Sequence, residues 1–145
     1  MNNNIHIFEN QKLLAAGLAD NFGNMILGQI QTREKINIAI SGGKTPKILF
    51  EKLAQDYSHL PWGKINFFWV DERCVPPEDR ESNYGMTRRT LLDKVTIPKS
   101  NVHRILGEAD PETEVKRYGN EINQIVYIHY LLFDNWFHEC FSRRG

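Results

Sequence analysis

Two cysteines in 145 residues are too few for a disulfide framework. Cys74 and Cys140 are far apart and fit no C-x-x-C metal or redox spacing, so a reducing, cytoplasmic setting is expected. An excess of one charge is also missing: Lys plus Arg and Asp plus Glu number 18 each. No global field then draws the chain to nucleic acid or to an anionic membrane, and any anion must be bound locally. No apolar run approaches the roughly 20 residues that span a bilayer. Met1 and the three asparagines after it do not open the basic-then-apolar pattern of a leader, and a soluble protein is expected. None of the five histidines, His6, His59, His103, His129 and His138, pairs with another ligand type at a zinc spacing, so no metal is expected. Neither a G-x-S-x-G elbow nor a Cys/His pair can be assembled, which leaves covalent nucleophilic catalysis without support.

What is present is enough chain for one domain, since a domain of this length buries roughly 70% of the surface its unfolded chain exposes. Ile5, Ile7 and Phe8 suggest a short strand, and Leu14, Leu18, Phe22, Met25 and Ile26 recur at helical spacing after Asn10. Ile36 to Ile40 is a β-branched run that stops at Ser41-Gly42-Gly43. Thr45 is suited to cap a helix with Pro46 in its first position, and Ile48, Leu49 and Leu53 supply that helix's apolar face. Ile65 to Val70 reads as a strand buried on both faces, with charge arriving abruptly at Asp71. Ser82 or Asn83 can cap a helix running through Leu91 and Leu92, and Val102 to Ile105 is a short strand. Asp110-Pro111-Glu112 opens a last helix with Val115, Tyr118, Ile122 and Ile125 on one face. This β-α alternation predicts an α/β fold with a Rossmann-like parallel sheet and helices on both faces. Ligands of such sheets sit outside the carboxyl ends of the strands, where the Ser41 and Asp71 loops fall.

A Gly-Gly pair between strand and helix lets main-chain N–H groups approach an anion, and the helix dipole favours a phosphate there. Ser41, Lys44 and Thr45 add hydroxyls and a cation, although a glycine pair can equally serve as a plain tight turn. Gly43-Lys44-Thr45 resembles the end of a nucleotide P-loop, but that motif needs a glycine five positions earlier, where Ile38 stands. Asp71-Glu72-Arg73 places two carboxylates and a guanidinium at a strand mouth, suited to gripping phosphate and accepting from sugar hydroxyls. Arg80, Arg88 and Arg89 follow nearby in sequence and read as a wet helix face. His103, near a strand end, reads as a part-buried histidine.

Ser41-Gly42-Gly43-x-Thr45-Pro46, then Asp71-Glu72-Arg73 with Val75-Pro76, then Ser82-Asn83 and Leu91-Leu92, resemble the 6-phosphogluconolactonase family in order and spacing. The related glucosamine-6-phosphate deaminases typically carry a different first loop and a tyrosine at the position of Arg73, so the lactonase is the better match. The resemblance implies hydrolysis of 6-phospho-D-glucono-1,5-lactone to 6-phosphogluconate in the pentose phosphate pathway, without metal or organic cofactor. It implies sugar-phosphate binding by Ser41, Gly42, Gly43, Lys44, Thr45, Glu72, Ser82 and Asn83, with Asp71 and Arg73 in supporting catalytic roles. The expected partner is a small sugar phosphate, with neither nucleic acid nor membrane.

The resemblance also marks a departure. In the family, the segment resembling Phe133-Asp134 leads into an Asp-Gly-His sequence whose histidine is the proposed general base, and the 145 residues contain no such segment. His138 followed by Glu139 is a substitute in residue type only. Residues 1–134 are therefore expected to be the N-terminal portion of a single lactonase-like domain, with the C-terminal part of the family fold missing and 135–145 an atypical tail. A frameshift, an alternative exon or a truncated gene model is the expected origin of that tail. Three readings follow: a 6-phosphogluconolactonase-type enzyme with weak or absent activity in this chain, a catalytically silent sugar-phosphate-binding module, and a non-functional fragment.

Overall fold

The computed structural model describes residues 6–125, so the readings of Ile5, His129, Phe133-Asp134, His138, Cys140 and the 135–145 tail fall outside the described residues. Helix α1 spans Gln11–Gln29, and the side chain of Asn10 caps it by accepting from the N–H groups of Lys12 and Leu13, both at 3.0 Å. Strand β1 spans Ile36–Ile40, helix α2 Lys44–Asp56, strand β2 Ile65–Trp69 and helix α3 Asn83–Thr90. Strand β3 is Val102–His103 and helix α4 is Pro111–Ile125.

The described strands form a parallel three-stranded sheet in the order β1-β2-β3. The β1–β2 register pairs Ile36 with Ile65, Ile38 with Phe67 and Ile40 with Trp69, which puts six apolar side chains on one face. Ala19 and Ile26 of α1, Leu49, Phe50 and Leu53 of α2, and Leu91 after α3 close the core over that face. The Trp62 ring stacks between Phe22 and Phe67, at 6.1 and 6.2 Å between centroids, and ties α1 to β2. On the opposite face the Asn66 amide donates to Asn37 Oδ1 at 2.8 Å, and the Phe68 ring stacks on His103 at 4.6 Å. Helix α4 reaches this second face through Glu121, whose carboxylate lies 2.7 Å from His103 Nδ1. The sheet thus carries helices on both faces, as the alternation predicts.

Several boundaries differ from the sequence reading. Residues 6–8 form no strand and Ile7 is 92% exposed, because no neighbouring strand pairs with them among the described residues. Strand β3 stops at His103 instead of Ile105, since the Tyr118 hydroxyl takes the place of the next strand bond by contacting both Trp69 and the His103 carbonyl. Helix α3 ends at Thr90, and a short 3-10 turn at Leu92–Lys94 follows it. Val115 is exposed, while Tyr118 supplies the buried anchor of α4. No helix among the described residues is long and apolar enough to cross a membrane.

Candidate functional site

The first loop leaves the carboxyl end of β1 at Ser41 and enters α2 at Lys44. Its geometry rests on Gly43, whose φ of +120° is a conformation that residues with a side chain rarely adopt. Gly43, and not the expected Thr45, is the N-cap of α2, and among the described residues no side chain caps this end. The helix begins two residues earlier than the sequence suggests because the glycine makes the turn that a capping hydroxyl would otherwise fix. Pro46 falls in the third helical position, where its missing N–H forfeits no helical bond, and the first i to i−4 bond is Lys47 N–H to Gly43 O at 3.1 Å. The N–H groups of Lys44 and Thr45 precede that first bond, next to the positive end of the helix dipole. Lys44 is exposed and has no ion pair among the described residues.

The second loop leaves β2 alongside the first, and the Val70 N–H still donates to Ile40 O at 2.9 Å as the strand ends. Asp71 and Arg73 are exposed, and Arg73 likewise has no ion pair among the described residues. Glu72 behaves differently. Its Oε1 accepts from the N–H groups of Arg73 and Asn83, both at 2.7 Å, and its Oε2 accepts from Tyr84 N–H at 2.8 Å and Ser82 Oγ at 3.1 Å. A carboxylate at a helix N-terminus satisfies orphan donors and complements the dipole, so Glu72 fastens its loop to α3. Ser82 caps α3 by accepting from Gly85 N–H at 2.9 Å. Glu72 and Ser82, expected among the ligand-binding residues, therefore have protein partners instead of open groups.

Asn83 stands in the first turn of α3, between the two loops. Its Nδ2 lies 3.1 Å from both the main-chain oxygen and the Oδ2 of Asp71, and a Cβ built on Gly42 would lie 1.7 Å from its Oδ1. The Ser41-to-Thr45 loop and the Asp71-to-Arg73 loop are thus brought together through α3. Arg80 and Arg88 are not drawn in. The Arg80 side chain is 93% exposed beside Glu81, and Arg88 lies between Glu78 and Asp93.

Gly107 and the hydroxyl of Tyr118 also shape this end of the sheet; the sequence places Tyr118 on the apolar face of α4 but signals neither the role of Gly107 nor that of the hydroxyl. A Cβ on Gly107 would lie 2.1 Å from the Arg73 carbonyl, so the absence of a side chain there lets the Arg73 turn settle. Tyr118 holds the ends of β2 and β3, and burial pushes its hydroxyl up to about 12. Beside it, Arg117 hydrogen-bonds to both Glu114 and Glu121 and donates to the Arg104 carbonyl at 3.0 Å. Its own pKa is raised chiefly by the Glu114 hydrogen bond, and the same bond holds the Glu114 carboxyl below its usual range. Burial pushes the Glu121 carboxyl up, but hydrogen bonds from His103 and Arg117 outweigh it and leave the group lowered. The His103 imidazole is thus taken up by Glu121 on one side and Phe68 on the other. Among the described residues no three His, Cys, Asp or Glu side chains come together as a metal-binding group.

Fold and loops together define an α/β protein with a parallel sheet whose β1 and β2 loops meet at the carboxyl ends of their strands. The family model described as glucosamine-6-phosphate isomerases/6-phosphogluconolactonase matches residues 9–136, and the chain belongs to that family. It is 42% identical over 98 residues to the 6-phosphogluconolactonase of Haemophilus influenzae, a match covering 66% of this chain and 42% of that protein. It is 41% identical over 118 residues to that of Treponema pallidum, covering 81% of this chain and 47% of that protein. The crystal structure of 6-phosphogluconolactonase from Thermotoga maritima superposes with a TM-score of 0.77 at 27% identity, over 84% of this chain and 54% of that one. The chain therefore spans about half the length of the relatives it matches.

Proposed function

We propose that the chain carries the sugar-phosphate-recognition half of a 6-phosphogluconolactonase-type hydrolase, which opens 6-phospho-D-glucono-1,5-lactone to 6-phosphogluconate. The observation that carries this reading is the uncapped start of α2, with Gly43 at φ +120° and the exposed Asp71 and Arg73 on the adjoining strand end. The Gly42-Gly43 backbone, the N–H groups of Lys44 and Thr45 and the Lys44 ammonium suit a phosphate dianion. Ser41 and Thr45 add hydroxyl donors. Arg73 supplies a planar fork for phosphate or a developing oxyanion, and Asp71 an acceptor for sugar hydroxyls. Glu72 and Ser82 contribute by holding the loops.

Hydrolysis needs a base to deliver water to the ring carbonyl while the phosphate anchor fixes the lactone, so that the two reactants meet in a set geometry. The Asp-Gly-His segment to which the family resemblance assigns that base is not among the 145 residues. For this chain the reading is recognition with weak or absent hydrolysis, in a cytoplasmic setting. Titration with 6-phosphogluconate, repeated on Arg73→Ala, tests it. Saturable binding that weakens in the variant is expected, and no binding by the unaltered chain refutes the reading. Lactone hydrolysis equal to that of a chain extended through an Asp-Gly-His segment would refute the separate claim about the base.

A further inference from the structure

We propose that Asn83 is a positioning residue: its amide locks the β1 and β2 loops together and sets where the Asp71 carboxylate stands relative to the Gly42-Gly43 backbone, without itself touching a ligand. The proposal rests on the sugar-phosphate reading of this site and adds to it a division of labour.

The orientation of the amide follows from its neighbours. Nδ2 faces two oxygens of Asp71, the main-chain oxygen and Oδ2, each at 3.1 Å. Both are acceptors, so the NH2 must face them, and the carbonyl oxygen is left pointing at Gly42. The two amide hydrogens are thereby spent on Asp71. The root of the side chain is fixed as well, because Asn83 N–H donates to Glu72 at 2.7 Å and Asn83 O accepts from Thr87 Oγ1 at 2.9 Å. The residue is 6% exposed. On its other side the approach to Gly42 is so close that a Cβ there would stand 1.7 Å from Oδ1. One buried amide therefore spans the strand ends from which the phosphate loop and the carboxylate both arise. Aspartate in its place would turn an acceptor toward two acceptors, and glutamine would add a methylene to a filled space.

A double-variant cycle on 6-phosphogluconate affinity tests the proposal, using Asn83→Asp, Asp71→Asn and the two combined. Asn83→Asp keeps the shape and removes the donor, and affinity is expected to fall at least about tenfold, the scale of one hydrogen bond to a charged group. In the Asp71→Asn background the same change lets the new amide at position 71 donate to the new carboxylate at position 83 and leaves only the main-chain oxygen of residue 71 facing an acceptor, so its penalty should shrink by about half or more. An equal penalty in both backgrounds, or none in either, overturns the proposal, since a merely structural role would add independently. A second measurement needs no variant: the Asn83 side-chain amide hydrogens should be protected from exchange in the free chain and show no nuclear Overhauser contact with bound 6-phosphogluconate. Rapid exchange, or a direct contact with the ligand, overturns it. If the unaltered chain binds no 6-phosphogluconate, the sugar-phosphate reading fails, while amide protection still decides whether the clamp exists.

Discussion

The Tyr118 hydroxyl holds the end of β2 by accepting the Trp69 N–H at 2.8 Å, and it lies 3.0 Å from the oxygen of the same residue. It stands 3.2 Å from the His103 carbonyl as well, so a side chain from α4 completes the ladder where β2 and β3 part. Removing that oxygen leaves a buried N–H without a partner. Tyr118→Phe should destabilise the chain by about 1–3 kcal/mol, the cost of an unsatisfied buried donor, read as a lowered urea midpoint.

Glu72 gathers four donors on one carboxylate. Glu72→Gln keeps the shape but turns an NH2 toward main-chain N–H groups. A loss of about 1–3 kcal/mol is expected in chemical denaturation, with the amide resonances of Asn83 and Tyr84 displaced. Unchanged stability would remove Glu72 from its capping role.

The glycines separate by environment. Among the described residues a Cβ on Gly119, in α4, meets nothing within 4 Å, so Gly119→Ala should stabilise the chain by about 0.5–1 kcal/mol through helix propensity. Gly42→Ala should instead displace Asn83 and abolish 6-phosphogluconate binding, because its new methyl would fall 1.7 Å from Asn83 Oδ1. Thermal melts and titrations on the two variants read the contrast.

The Glu114 carboxyl is held below its usual range, chiefly by the Arg117 hydrogen bond. A carboxylate with a depressed folded-state pKa contributes stability that is fully present above its unfolded value, near 4.3, and lost as pH falls through the folded value. Stability should therefore decline below about pH 4.3, and Glu114→Gln should flatten that limb. A limb that is identical in the variant contradicts the assignment.

Sequence pattern reveals the sheet where local chemistry decides it. Ile36–Ile40 and Ile65–Trp69 are apolar runs ended by glycine or charge, and both are strands. The start of α2 is less legible, because the turn at Gly43 does the work that a hydroxyl cap on Thr45 would announce. Strand β3 ends early for a reason held in α4, where Tyr118 takes over the bonding. At the site, the glycines and charged residues of the two loops and the Ser82 cap stand out in the sequence, while the duties of Glu72 and Asn83 do not. Those duties depend on how a loop from β2 meets the first turn of α3. Ser82 is visible as a cap, but nothing in its spacing says that a glutamate ten residues earlier completes it.

The most direct measurement is an amide-resolved titration of the chain with 6-phosphogluconate and, in parallel, with gluconate, which lacks the phosphate. Saturable shifts centred on Gly42, Gly43, Lys44 and Asp71 with the phosphate ester, and none of comparable affinity with gluconate, are predicted. Equal responses to both ligands, or shifts that avoid the β1–α2 loop, would contradict the assignment of that loop to sugar-phosphate recognition.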